Sequence, residues 1–123
     1  MNLCLDLRDN DLETYFRKLR EIGDKLNKDK NVLELTQFFN VLGNDTRFKI
    51  VKLLNVKDYC VCELEAILDK AQSSISHHLK ILENLKLIRG IKKGYFTHYE
   101  LIKVELQRYV QIFQEYIEFL NSK

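Results

Sequence analysis

A chain of 123 residues, 46% hydrophobic and 31% charged, is too apolar to stay disordered and about the size of one domain. No apolar run nears the roughly 18 residues that cross a bilayer, and the start lacks the basic and long apolar regions of a secretory signal, so a cytoplasmic protein without membrane contact is expected. A net charge of +2 names no partner, and three cysteines in a reducing compartment point to thiol or metal chemistry rather than disulfides.

Leu12, Tyr15, Phe16, Leu19, Ile22 and Leu26 recur at three-and-four spacing, which predicts an amphipathic helix from about Asp11 to Lys28. Asp9, Asn10 and Asp11 are its N-cap candidates. A second helix runs through Val32, Leu35, Phe38, Phe39 and Leu42 and stops at Gly43. Asn44 or Asp45 caps a third, whose apolar face is Phe48, Ile50, Val51, Leu53 and Leu54. A short helix after Asp58 holds Leu64, Ile67 and Leu68, and a longer one from about Gln72 to Leu85 buries Ile75, Leu79 and Leu82. The period then changes. Leu87 to Glu100 is β-branched and aromatic around Lys92-Lys93-Gly94, which predicts a β-hairpin with a basic tip. Leu106, Tyr109, Val110, Phe113, Tyr116, Ile117 and Leu120 make a last amphipathic helix.

The expected class is α+β, mainly α, in a single domain over residues 1–123. Residues 1–30 supply an arm and a first helix, 32–102 the core, and 103–123 the last helix. A chain this small cannot easily cover both terminal stripes with its own surface. They imply a homodimer built on Leu12, Phe16 and Leu19 of the first helix and Leu106, Tyr109, Val110, Phe113 and Ile117 of the last.

A short helix, a tight turn at Asp69-Lys70-Ala71, a second helix and a basic hairpin follow the order of a winged helix-turn-helix. Residues 71–100 hold five Lys or Arg against two Asp or Glu, while the flanking segments are near balance. Gln72, Ser73, Ser76, His77 and Lys80 fall opposite the buried Ile75, Leu79 and Leu82. Such small or polar groups reach base edges of double-stranded DNA. Arg89, Lys92 and Lys93 suit phosphates or the minor groove, contacts that position without specifying. Ala71 stands where a capping Ser would help, a lack worth about 1 kcal/mol.

Three segments carry a family resemblance: Phe38 to Ile50 with its Asp45-Thr46-Arg47 turn, Cys60-Val61-Cys62-Glu63-Leu64, and Gln72 to Leu82 with Ser76-His77-His78-Leu79-Lys80. In order and register they resemble the ArsR/SmtB metalloregulators over roughly residues 32–102. The resemblance implies a winged-helix homodimer that represses a palindromic operator and releases it when an inducer binds. It adds Thr46, Arg47, Ser74 and His78 to the expected DNA-contacting residues.

Cys60 and Cys62 are the expected metal ligands. On a regular helix residues two apart point about 200° from each other, whereas in an extended segment they face the same way. The pair therefore chelates only where the chain is non-helical or is unwound by the ligand, which would move the helix-turn-helix beside it. A Cys-x-Cys disulfide would be badly strained. By resemblance, Cys4 in the N-terminal arm is the third candidate ligand. Three thiolates suit As(III) or Sb(III) first, then Pb(II) or Cd(II), as inducer. The family's other site, on the last helix, is not expected, because Glu105, Glu115 and Glu118 have no His beside them. A thiol-based redox or sulfur-species sensor joining Cys4 to Cys60 or Cys62 is the alternative input. Without a group to orient Ser or His for catalysis, neither an enzyme nor a catalytic cofactor is expected.

Overall fold

A computed structural model describes residues 9–122. Their elements run α1 (Asp9–Lys28), α2 (Lys30–Leu42), α3 (Asp45–Leu54), β1 (Tyr59–Cys60), α4 (Val61–Leu68), α5 (Gln72–Asn84), β2 (Ile88–Lys93), β3 (Phe96–Leu101) and α6 (Lys103–Asn121). The chain divides into two compact units between Glu34 and Leu35, inside α2.

The first unit holds α1 and the opening of α2. Asp29 starts α2, its Oδ1 accepting the N–H of Asn31 at 2.9 Å and of Val32 at 3.4 Å. Along α1 the apolar stripe stays open to solvent at Phe16, Leu19, Ile22 and Leu26.

The second unit is assembled around Ile50, Leu64, Ile75, Leu79, Leu82, Leu87 and Ile88, each essentially removed from water. Burying such a side chain is worth about 1.5–3 kcal/mol, so these positions hold α3, α4, α5 and β2 together. Asn44 caps α3, its Oδ1 taking the Arg47 N–H at 3.1 Å. Thr46, Ile50 and Leu54 then recur every four residues on the buried face. Phe48, expected on that face, lies about 200° around from Thr46 and is 56% exposed. Ile67 is likewise more exposed than its spacing suggests.

Tyr109 is corrected from an interface residue to a core residue: it is buried, with its ring stacked on Phe38 at 4.5 Å. Leu106 also packs against this core, which leaves Val110, Phe113 and Ile117 as the open part of the α6 stripe.

The sheet is antiparallel with order β1-β3-β2. Gly94 and Tyr95 make the two-residue turn of the hairpin, and Gly94 has a φ of 63°. A two-residue turn with positive φ at its first central position needs glycine there. The third strand, β1, was not expected from the sequence. It pairs Tyr59 with Tyr99 and Cys60 with His98.

Ala71 is the N-cap of α5 and offers no side-chain acceptor. Ala71→Ser is expected to stabilise the protein by about 1 kcal/mol, read as a higher urea midpoint at unchanged slope.

Candidate functional site

On α5, Ile75, Leu79 and Leu82 turn inward while Gln72, Ser73, Ser76, His77 and Lys80 are exposed. The face is short and polar, and it has no neighbouring carboxylate in the first turn of the helix. Its opening N–H groups lack a cap, which leaves them available to a phosphate.

The wing is less basic than its sequence. Arg89 is paired with Glu100 directly across the hairpin, and Lys93 Nζ sits 2.8 Å from Asp58 Oδ2. Lys92 remains exposed at the end of β2, next to Tyr95, which is 98% exposed, and Phe96. The two aromatics were not singled out in the sequence, where they looked like strand formers; their exposure follows from their place at the turn.

Cys60 and Cys62 straddle a change in backbone. Cys60 ends β1 with φ −87° and ψ 170°, and it is the N-cap of α4. Cys62 is already helical. Cys60 is buried, Cys62 is exposed, and both are free thiols. Glu63 returns its carboxylate to the Cys60 N–H at 2.9 Å, the reciprocal arm of a capping box. That N–H, followed by the Cys60 thiol, holds the Glu63 carboxyl below the ordinary range. Asp58 just before them takes His98 Nδ1 at 2.8 Å on the oxygen that Lys93 also reaches. The Lys93 hydrogen bond is the main cause of its lowered pKa. Cys4 lies outside the described residues.

The profile of the bacterial regulatory protein arsR family matches residues 44–89, from the cap of α3 into β2. A cadmium resistance regulatory protein CadC homolog of Staphylococcus aureus is 30% identical over 95 residues, spanning 72% of this chain and 78% of its own. The chain belongs to the ArsR family. The arsenical resistance operon repressor of Escherichia coli K12 is 41% identical over 66 residues, 53% of this chain and 56% of that one. An ArsR-like transcriptional regulator from Rhodococcus superimposes with a TM-score of 0.62 at 26% identity, covering 73% of this chain and 89% of the other. The family is one of transcriptional regulators, and no described helix is long and apolar enough to cross a membrane.

The family is one of helix-turn-helix regulators, and α4 and α5 are the two helices of the expected motif; the structure sorts the expected contact residues. Thr46 is corrected: at 8% exposure its side chain belongs to the α3 core face. Arg47 and His78 are corrected in part, because they engage each other inside the domain. Arg47 Nε donates to Val41 O at 2.6 Å, and its Nη1 lies 3.2 Å from His78 Nδ1. Arginine has only donors, so His78 Nδ1 is the acceptor and the ring is neutral. The two side chains thereby tie the end of α2 and the start of α3 to the recognition helix α5.

Burial first, and then Arg47, lowers the His78 pKa below its ordinary 6.5. An unfolded chain takes up this proton at higher pH than the folded one. The stability His78 carries is therefore complete above about 6.5 and is lost as pH falls through the lowered value. His78→Gln keeps an oxygen for Arg47 and does not titrate. Its melting temperature is expected to fall less between neutral pH and pH near 5 than that of the parent, measured by circular dichroism.

Proposed function

We propose that this ArsR-family chain is a homodimeric repressor of a palindromic operator, released by a thiophilic metal or metalloid ion held by Cys60 and Cys62. As(III) or Sb(III) ranks first and Pb(II) or Cd(II) next, with Cys4 as the proposed third thiolate. The observation that carries this reading is the position of the two thiols, one on each side of the β1–α4 junction. One is the last extended residue and the other is in the first helical turn, so bringing both sulfurs onto one ion requires that turn to unwind. Helix α4 packs against α5, the helix proposed to enter the major groove. An ion that prefers the unwound turn then disfavours the arrangement that fits DNA, a coupling of about 1–3 kcal/mol or 5–150-fold in operator affinity.

The donor chemistry fits soft ions, since thiolates select them over hard cations. The names of the cadmium and arsenical resistance relatives support the same class of inducer. On the DNA side, Gln72, Ser73, Ser76, His77 and Lys80 are the proposed base-reading set, with Lys92 and the wing on the backbone.

The test is fluorescence anisotropy of the reduced protein on labelled DNA from upstream of its own gene, titrated with As(III), Sb(III), Pb(II) and Cd(II). Release by one of these ions is expected, together with steep weakening of the ion-free complex by salt. Release by oxidant and by none of the ions would replace this reading with a redox sensor.

A further inference from the structure

Besides the thiol pair, and sharing its Cys60, the described residues contain one group of mixed metal-binding side chains. Ligand atoms of Cys60, Glu63 and His98 all lie within 4.8 Å of one another. They come from three places in the fold: the end of β1, the first turn of α4, and the middle of β3 in the wing. Two features hold them there. Cys60 and His98 are cross-strand partners, and the Glu63 carboxylate is fixed by the Cys60 N–H at 2.9 Å.

His98 carries a second mark of a metal ligand. Its Nδ1 lies 2.8 Å from Asp58 Oδ2, and a carboxylate oxygen is an acceptor, so in this contact Nδ1 is the donor. The neutral tautomer that donates from Nδ1 offers Nε2 as the ligating nitrogen. A carboxylate on one ring nitrogen with the other left to ligate is the arrangement that orients histidine in metal sites. Asp58 itself is occupied by Lys93 and His98.

We propose that Cys60, Glu63 and His98 form a site for a borderline divalent cation of the Zn(II) class, clamping the wing to the start of α4. One thiolate, one imidazole and one carboxylate are the donors such an ion takes, with the fourth tetrahedral position left to water. Binding releases the Cys60 thiol proton to solvent. One Glu63 oxygen stays on the Cys60 N–H while the other turns to the ion. The site goes beyond the thiolate reading and stands without it, because neither Cys62 nor Cys4 takes part. Where both sites exist they share Cys60, so Zn(II) and As(III) compete for the chain.

Reduced full-length protein titrated with Co(II) is expected to give a thiolate charge-transfer band and tetrahedral ligand-field bands. Zn(II) affinity is then read against a chromophoric chelator. His98→Gln and Glu63→Gln should each lower Zn(II) affinity by roughly 10–100-fold or more, and Asp58→Asn by an amount toward the lower end. Glu63→Gln keeps an amide oxygen for the Cys60 N–H, so α4 remains capped and a folding defect does not mimic the loss. Cys62→Ser should leave Zn(II) affinity unchanged while lowering As(III) affinity, and His98→Gln should do the reverse. Full Zn(II) affinity in His98→Gln, or an equal loss in Cys62→Ser, overturns the site. Loss of As(III) binding alone bears on the thiolate reading and leaves this one standing.

Discussion

Cys62→Ser in the reduced protein is expected to hold its operator as tightly as the parent and to keep holding it through an As(III) titration that releases the parent. The fold loses little. Cys62 is exposed in the first turn of α4, where serine is tolerated, and it anchors none of the buried cluster. Cys60→Ser is expected to give the same result from a buried position. Cys60 is the N-cap of α4, and serine is among the residues best suited to that role, with Glu63 completing the box. Both substitutions remove a thiolate and retain the structure. The inducer effect should fall from the 5–150-fold of a typical coupling to none. Anisotropy with and without the ion reads it directly. Release of either variant by the same As(III) concentration as the parent would remove the thiol pair from the mechanism.

Much of this fold was legible because its elements declare themselves locally. The spacing of Ile75, Leu79 and Leu82 gave α5 and its polar face, and the change to β-branched and aromatic residues after Leu87 gave the wing. What the sequence hid depends on contacts far along the chain. A two-residue strand such as β1 has no period to read; it exists because Tyr99 and His98 lie opposite Tyr59 and Cys60. Tyr109 has the spacing of an exposed stripe, yet Phe38, 71 positions earlier, stacks on it. Arg47 looked like a DNA contact until Val41 O and His78 took its donors. The candidate thiol site was half legible. Sequence supplied the Cys-x-Cys spacing and the geometric choice between helix and extended chain, and the structure gives each state to one cysteine.

The same junction links the candidate thiol site to the wing through hydrogen bonds. Asp58 is the last residue before β1, and it holds Lys93 of β2 and His98 of β3 on one oxygen. The first turn of α4 is therefore only a few residues from contacts to the wing, at Lys93 beside the hairpin turn and at His98 in β3. Surface ion pairs contribute little stability, so Lys93–Asp58 matters here as a positioner of the hairpin.

Ile117→Asp is expected to convert the proposed dimer to a monomer and to lower affinity for the proposed palindrome by about 10²–10⁴-fold, leaving half-site binding in place. On α6, Val110, Phe113 and Ile117 are each about 40% exposed, and Leu120 is 70% exposed. These positions follow the helical repeat and continue past the core residues Leu106 and Tyr109. A surface stripe of this kind costs free energy unless a second copy covers it. In a two-fold interface the same patch meets itself, so a single substitution introduces two carboxylates into one apolar contact. Ile117 lies outside the buried core, so the winged-helix unit itself should melt at a similar temperature once dissociated. Sedimentation reads the mass, and anisotropy on whole and half operators separates loss of pairing from loss of reading. A parent already monomeric at the concentrations that bind DNA would refute the dimer, whereas a monomeric variant with intact half-site binding assigns the palindrome's affinity to two linked copies of α5.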